Sequence, residues 1–275
     1  MAERIAERRP EKAAAMWIGT FHTFGLDLIR RLGPEFSLPN DPRLMDRVEA
    51  VELLEAEFPR LALEYYQDLY DPTRLICDIL AAISRAKDEV VGPDEYALHA
   101  EEMRIDTGGD EPRRTNALKA AEGAWIYAVY ERLKRDRNAI DFGDLVSLPV
   151  ELLEAPPEIA AELNQLYDHA LVDEYQHVNR ASVRLLKALR PTGENLCVVG
   201  DARQSIYRFR GASPISMSRF ASKDFPGATS GRLEVNSRSV EEIVSPSSSG
   251  CARAKRSSPS RLPTASVSCS ARVRR

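Results

Sequence analysis

Two short apolar runs, each followed directly by polar side chains, constrain the fold more than any other feature of this sequence. The first is Ala170–Val172, which leads into Asp173–Gln176, and the second is Leu196–Val199, which leads into Gly200 and Asp201. An amphipathic segment that is stopped by a proline separates the two runs. This strand–helix–strand pattern predicts two buried strands of a parallel sheet. Open α/β proteins form a ligand crevice where such strands end.

The polar groups at the two predicted strand ends suit phosphate chemistry. Asp173, at the end of the first strand, is placed to bind Mg²⁺ because this hard cation prefers oxygen ligands. Glu174 follows it and points elsewhere, so its carboxylate is placed to polarise an attacking water, as phosphoryl transfer to water requires. Gln204, beyond the second strand, is placed to hydrogen-bond a terminal phosphate. Together these residues predict a site for nucleotide hydrolysis.

The stretch that follows Gln204 alternates aromatic and basic residues. It contains Tyr207, Arg208, Phe209 and Arg210 in succession. Aromatic faces for bases beside cations for phosphates are typical of proteins that bind single-stranded nucleic acid. The segment therefore predicts a surface for a single strand close to the nucleotide site.

Both stretches resemble motifs of a known protein family. Asp173-Glu174-Tyr175-Gln176 and the run from Gly200 to Ala212 are similar to motifs II and III of the UvrD/Rep family of superfamily 1 DNA helicases. The resemblance implies an ATP-dependent 3′→5′ helicase that uses ATP and Mg²⁺, binds single-stranded DNA and duplex junctions, and acts in DNA repair. It also implies an α/β fold, a partial RecA-like parallel-sheet domain with an inserted all-helical subdomain and a disordered basic tail.

The resemblance gives roles to individual residues at the nucleotide site. Asp173 would bind Mg²⁺, and Glu174 would activate the attacking water. Gln204 would sense the γ-phosphate together with Arg238, which lies in a segment that resembles motif IV. The family has a tyrosine that stacks on adenine where this chain has Ser237, so the stacking ring is missing here.

Further residues are implied to lie on the path of the DNA strand. Residues 16–24 are predicted to form a strand running into a helix, and their centre matches a family motif that lies against DNA. A histidine beside aromatic residues, such as His22, is by itself more often a structural histidine, whereas the resemblance favours a DNA contact. The residues implied to line the single-strand path, or to couple it to ATP, are Thr20, Phe21, His22, Tyr207, Phe209 and Arg210.

The resemblance also divides the chain into parts. It covers about residues 1–244 and begins at the end of motif Ia. The implied order is a truncated N-terminal part of the first RecA-like domain (1–33), a helical insertion (34–139), the C-terminal part of that domain with motifs II to IV (140–244), and a disordered tail outside the family (245–275).

The insertion has helical periodicity over residues 43–57, 73–89 and 115–137. The third helix ends in a basic run: Arg132, Lys134, Arg135 and Arg137. That run is either a solvated helix face or a contact to duplex phosphates, and the pattern alone favours the solvated face. Asp141 and Asp144, at the return to the RecA-like core, are predicted to be N-cap and first-turn acids rather than catalytic groups.

The composition is that of an ordinary globular protein, with 43% hydrophobic and 29% charged residues in a chain of 275. No apolar run approaches the length of a membrane span, and the cysteine spacings match no metal site, so we expect a cytoplasmic protein with reduced thiols. The net charge is −4, but the last 31 residues hold seven Lys or Arg and no acid, so the rest carries −11. A nucleic-acid site on that acidic body must be a local stripe.

One motif of the family is absent from the sequence. ATP hydrolysis needs a glycine-rich loop with Lys and Ser/Thr that surrounds the phosphates, and no Gly-x-x-x-x-Gly-Lys-Ser/Thr pattern occurs among the 275 residues. We therefore expect a piece of a helicase with little or no ATPase activity alone, whose partner chain, if any, is unknown. The alternatives are a non-catalytic single-strand-binding or interaction module, an unstable gene fragment, and a relative that also carries a nuclease domain.

Overall fold

The structure, a computed structural model, divides into two compact units, residues 1–156 and residues 157–275. Both combine helices with short strands, and the predicted α/β class is confirmed. In the part of the chain that the structure describes, no helix is long and apolar enough to cross a membrane. The described residues are 3, 7, 10–14, 16–33, 38, 41–66, 72–106, 110–154, 157–201, 204, 215–233 and 265–270.

The first unit is mainly helical. Its longest helix spans 26 residues and is preceded by the N-cap Asp110, whose side chain accepts a hydrogen bond from the backbone N–H of Arg113. Its elements, in chain order, are α1 (Pro10–Ala13), α2 (Phe21–Arg31), β1 (Arg43–Leu44), α3 (Arg47–Glu57), α4 (Pro72–Asp88), α5 (Pro93–Ile105), α6 (Glu111–Asp136), β2 (Ala139–Ile140) and α7 (Asp144–Glu154).

The predicted helices of the insertion are present with shifted starts. The periodicity over residues 43–57 begins too early, because Arg43 and Leu44 form a strand that pairs in parallel with Ala139 and Ile140. Asp46 then starts α3 with a capping box, in which its carboxylate accepts from the backbone N–H of Glu49 and the Glu49 carboxylate accepts from the N–H of Asp46. A cap of this kind fixes where a helix begins more firmly than apolar spacing does.

Helices α3, α4 and α6 share one apolar core. Leu54, Ile76 and Ile126 are fully buried in it, and Tyr127 and Tyr130 of α6 pack against the same cluster. Burial of large side chains of this type is the main favourable contribution to folding, at about 1.5–3 kcal/mol for each. The helical region therefore has a hydrophobic core of its own.

Helix α2 packs against α7 at very short range. Its N-cap is Thr20, whose hydroxyl oxygen accepts from the backbone N–H of Thr23. A Cβ added to Gly25 would lie 1.6 Å from the carbonyl oxygen of Leu145, so only glycine allows this approach. The strand predicted before α2 is not formed: residues 16–20 pair with no strand in the described part of the chain, and a strand needs a neighbour for its backbone groups.

The second unit contains the predicted strand–helix–strand pattern. Its elements are α8 (Pro157–Leu166), β3 (Ala170–Val172), α9 (Arg180–Leu189), β4 (Leu196–Gly200), α10 (Ile215–Arg219), β5 (Thr229–Leu233) and β6 (Ala265–Ser270). Strands β3 and β4 are parallel, with Ala170 opposite Leu196 and Val172 opposite Val198. The predicted parallel pair is thus confirmed. Asn179 caps α9, and the apolar face of that helix, including Val183 and Leu186, is buried.

Two features of this sheet differ from the sequence expectation. Leu171 is 75% exposed, so β3 is not fully buried; among the described strands it pairs with β4 alone and lies at an edge. Within the tail expected to be disordered, Ala265–Ser270 forms β6, which is antiparallel to both β4 and β5. In those six residues serine alternates with Ala, Val and Cys, a period of two that suits a strand.

Candidate functional site

The polar residues that follow β3 have an unusual backbone. Asp173 is exposed, and its Oδ1 accepts a hydrogen bond of 2.9 Å from the backbone N–H of Glu174. Glu174 has φ 53° and ψ 38°, the left-handed region that costs a residue other than glycine about 1–2 kcal/mol. Strained backbone of this kind concentrates at functional sites, where it aims a side chain. Here it precedes the short 3₁₀ turn Tyr175–His177.

Gln176 links the two strand ends through its side-chain amide. The residue is 1% exposed; its Nε2 donates to Glu174 Oε2 at 2.5 Å, and its Oε1 accepts from the backbone N–H of Asp201 at 3.0 Å. Because an amide has both a donor and an acceptor end, one side chain can serve both groups at once. A Cβ on Gly200 would lie 2.5 Å from Gln176 Oε1, so glycine at the end of β4 is what lets the amide approach.

The link continues to Gln204. Its Nε2 donates to Asp201 Oδ2 at 3.0 Å, and its backbone N–H donates to the Asp201 carbonyl at 2.9 Å. Glu174, Gln176, Asp201 and Gln204 therefore form a continuous chain of hydrogen bonds, called the relay below. Sequence reasoning gave no role to Gln176 or Asp201, although a polar residue at each of two adjacent strand ends was the available signal.

His177 also lies close to the relay. Its Nε2 is 3.8 Å from Glu174 Oε2 and 3.4 Å from Gln176 Nε2. The resembled family usually has aspartate at this position. In the structure the imidazole is next to the carboxylate predicted to activate water, so the substitution alters the surroundings of that group.

The donors at the end of β3 are suited to Mg²⁺. This cation is commonly held by one or two carboxylates together with waters and substrate phosphates. Asp173 is exposed at the strand end, and only its Oδ1 is used in a hydrogen bond within the described part of the chain. The carboxylate of Glu174 is turned toward Gln176 instead. The sequence predicts these two separate roles, with the Asp173 carboxylate binding the cation and the Glu174 carboxylate activating water.

A second set of predicted site residues lies in the first unit, at the start of α2. Phe21 and His22 are half-buried, and the imidazole of His22 stacks on the ring of Phe142, with centroids 4.1 Å apart and planes at 22°. Burial lowers the pKa of His22 below its ordinary value, which favours the neutral ring. Phe142 itself is 61% exposed. We call His22 and Phe142 the aromatic pair.

Sequence reasoning missed Phe142, and it misjudged part of the basic run on α6. An exposed phenylalanine next to two aspartates that cap a helix was the only available signal for Phe142. Lys134 is 2% exposed, so it neither forms a solvated face nor reaches duplex phosphates. Asp141 and Asp144 do act as caps, each accepting from the other's backbone N–H. They also bind Lys134 and Lys87, both of which are buried.

The remaining predicted site residues, Tyr207, Phe209, Arg210 and Arg238, lie outside the described residues. Their roles stay predictions. Of the predicted nucleotide-site residues, the structure links Glu174 with Gln204 through the relay and leaves Asp173 beside it. Of the predicted DNA-path residues, it places Thr20, Phe21 and His22 in the first turn and cap of α2.

Comparison with known proteins gives consistent matches. The UvrD/REP helicase N-terminal domain matches residues 1–226. The chain is 32% identical over 245 residues to the ATP-dependent DNA helicase PcrA of Leuconostoc citreum, covering 89% of the chain and 30% of that protein. It is 34% identical over 262 residues to the ATP-dependent DNA helicase UvrD1 of Mycobacterium tuberculosis, covering 92% of the chain and 31% of that protein. The chain thus spans about a third of the length of these relatives.

Proposed function

The chain belongs to the UvrD/REP helicase family, and from that premise we propose that its second unit supplies the water-activating part of an ATP-hydrolysis site in a DNA helicase. The relatives that it matches are named ATP-dependent DNA helicases, and the chain corresponds to about 30% of their length. The whole activity, including 3′→5′ unwinding in DNA repair in the cytoplasm, is part of this proposal. It extends to single-stranded DNA and duplex junctions as partners.

The relay is the observation that carries the nucleotide half of the proposal. It joins the carboxylate of Glu174 to the amide of Gln204 across two parallel strand ends, through Gln176 and Asp201. A water that attacks the terminal phosphate must lose a proton, and Glu174 is the group that accepts it. Gln176 holds that carboxylate in position from inside the protein. Gln204 then lies at the far end, where it hydrogen-bonds the phosphate that the water attacks.

Mg²⁺ would neutralise phosphate charge when it is bound with ATP. Asp173 would hold it through the carboxylate at the end of β3, because that group is exposed and separate from the Glu174 carboxylate. Arg238 is proposed to contact the γ-phosphate as a second sensor. The chain has Ser237 where the resembled family has an adenine-stacking tyrosine, so adenine binding is expected to be weak.

The test is ATP hydrolysis by the purified chain with and without single-stranded DNA, beside Glu174→Gln. We expect no DNA-stimulated turnover from the chain alone, because the 275 residues carry no phosphate-loop pattern. Adding a chain that supplies a phosphate loop should raise turnover, and Glu174→Gln should abolish that gain. DNA-stimulated turnover by the chain alone that survives Glu174→Gln would contradict the proposed role of Glu174.

A second candidate function, binding of single-stranded DNA without nucleotide, is favoured by the aromatic pair. The Phe142 ring is stacked on one face by His22 and is 61% exposed, so the other face is open to a ring from a ligand. A base that stacks on an aromatic side chain gains about 1–3 kcal/mol and needs no particular sequence. Because burial lowers the pKa of His22 and so favours the neutral ring, the pair would bind a base by stacking rather than bind a phosphate by charge.

Phe142→Ala is expected to weaken binding of an oligothymidylate by about tenfold, the equivalent of one lost base stack. Fluorescence anisotropy of a labelled oligonucleotide measures it. The control is Leu98→Ala, which removes an exposed apolar side chain on α5. Phe58 is not used as the control because its ring packs on the helical core. Equal affinity of Phe142→Ala and the unsubstituted chain would remove the aromatic pair from the DNA path.

A further inference from the structure

We propose that Lys87 and Lys134 are positioning residues that hold the turn carrying Phe142 in place for single-stranded DNA. The proposal rests on the DNA binding proposed above and adds residues that do not touch DNA themselves. It concerns a cluster of buried charges, here called the charge cluster, whose members lie on α4, on α6 and at the start of α7: Lys87, Glu131, Lys134, Asp141 and Asp144.

Each lysine contacts all three acids of the charge cluster. Lys87 Nζ lies 2.8 Å from Glu131 Oε1, 2.7 Å from Asp141 Oδ2 and 2.5 Å from Asp144 Oδ1. Lys134 Nζ lies 2.9 Å from Glu131 Oε1, 3.0 Å from Asp141 Oδ2 and within hydrogen-bonding range of Asp144 Oδ2. Both ammonium groups also approach the ring of Tyr130, at 5.7 and 5.1 Å from its centroid.

The two lysines are shut off from solvent and from nucleic acid. Their side chains are 3% and 2% exposed, so neither ammonium reaches a phosphate on a bound strand. Burial alone would lower the pKa of Lys87, but the carboxylates of Asp144, Asp141 and Glu131 outweigh it and raise the pKa well above the ordinary value. Lys87 is therefore charged, and the amino groups of both lysines lie between the acids, in the space that a metal ion would need.

Asp141 and Asp144 lie on either side of Phe142 in the sequence, and their hydrogen bonds fix the turn formed by residues 141–144. The backbone N–H of Asp141 donates to Asp144 Oδ2 at 2.8 Å, and the N–H of Asp144 donates to Asp141 Oδ1 at 3.1 Å. At Gly143 an added Cβ would lie 2.7 Å from Lys87 Cδ, so the backbone of the turn packs closely against the side-chain carbons of Lys87. Every residue of the turn except Phe142 is thus tied to its neighbours or to Lys87.

Phe142 depends on this anchoring because it has little packing of its own. At 61% exposed, its ring contacts His22 on one side and gains little from the apolar core. The position of the ring is therefore set by the backbone of the turn, and the turn is set by the charge cluster. Lys87 on α4 and Lys134 on α6 connect that turn to helices whose other residues form the helical core. The helical region thereby determines where a DNA base can stack.

The test uses a variant that removes one positive and one negative charge together, Lys134→Met with Glu131→Gln, so that the charge of the cluster is unchanged. Affinities for an oligothymidylate and for an abasic strand of the same length are compared by anisotropy. We expect the unsubstituted chain to bind the thymidylate about tenfold more tightly than the abasic strand. The variant should lose most of that preference while its dependence on salt stays the same, because no phosphate contact is removed. Lys119→Met, at an exposed position on the same helix, should keep the preference.

A second readout does not depend on DNA. The Phe142 ring is expected to shift the proton resonances of the stacked His22 imidazole, and the chain has only four histidines, so this signal should be readily assigned. Loss of the shift in the double variant, as in Phe142→Ala, supports the positioning role. An unchanged shift, or an unchanged base preference, overturns it. If the unsubstituted chain binds neither strand, the DNA-binding proposal fails while the imidazole signal still decides the positioning role.

Thermal unfolding of each variant shows whether it is folded before these measurements are interpreted. If the double variant does not unfold cooperatively, Asp141→Asn replaces it, since this change keeps the side-chain volume and weakens contacts to both lysines. The same two outcomes apply to it: a lost imidazole shift and a lost base preference support the proposal, and their persistence overturns it.

Discussion

Replacing Gly25 by alanine is expected to lower the free energy of unfolding of the first unit by about 3 kcal/mol or more. The added Cβ would lie 1.6 Å from the carbonyl oxygen of Leu145 and 2.8 Å from its carbonyl carbon, and both atoms belong to the backbone. A rotamer change cannot relieve a contact with backbone. Helices α2 and α7 would have to separate, which would open the packing around Ile29, Ile140 and Leu145.

Denaturant unfolding followed by circular dichroism measures this loss. Gly123→Ala on α6 is a matched control with the opposite expected sign, because its added Cβ has no atom nearer than 3.9 Å. Alanine is favoured over glycine in a helix interior by about 0.5–1 kcal/mol, so that variant should be slightly stabilised. Equal effects of the two substitutions would show that α2 and α7 do not pack as closely as described.

The second large effect is expected from Lys134→Met without a compensating change. The substitution leaves Lys87 alone with three carboxylates in a buried site, and removing one partner from a buried ion pair typically costs about 3–5 kcal/mol. The pKa of Asp141, which the two lysines hold well below its ordinary value against the effect of burial, should rise in this variant. One of the acids would then take up a proton on folding.

Unfolding measured at several pH values tests this effect. In the unsubstituted chain the lowered pKa of Asp141 stabilises the folded state at any pH above the pKa that Asp141 has in the unfolded chain. That stabilisation is lost as the pH falls through the pKa of Asp141 in the folded chain. In Lys134→Met this contribution should be smaller. The difference in free energy of unfolding between the two proteins should therefore decrease as the pH is lowered. Adding Glu131→Gln should recover part of the loss at neutral pH. A difference that does not depend on pH would contradict a charge-based role for Lys134.

The parts of the fold that sequence alone predicted are those set by local pattern. The β3–α9–β4 unit was predicted from two apolar runs and one amphipathic helix, because strand and helix periods can be read over a few residues. The position of Glu174 and Gln204 at adjacent strand ends followed from the same topology. The family was predicted from the motif residues themselves, and that prediction is confirmed over residues 1–226.

The parts that were missed depend on partners distant in the chain. Lys134 lies on the same helix face as Tyr127 and Tyr130, but a charged side chain in a basic run predicts a solvated position. Its burial depends on Lys87 and Asp144, which meet it in space. The exposure of Leu171 depends on which strands flank β3, which its own apolar character does not reveal. The role of Gln176 depends on the backbone of Asp201, 25 residues away.

The charge cluster also limits which substitutions this protein can tolerate. Its five charged groups share a buried site in which two cations face three anions, so a substitution that removes either lysine leaves buried carboxylates without a compensating charge. Selection against such intermediates is expected to make these positions change in pairs of opposite sign or remain fixed together. In a set of related sequences these five positions should therefore covary. A relative in which one lysine alone is replaced is expected to have lost the function of the turn that carries Phe142.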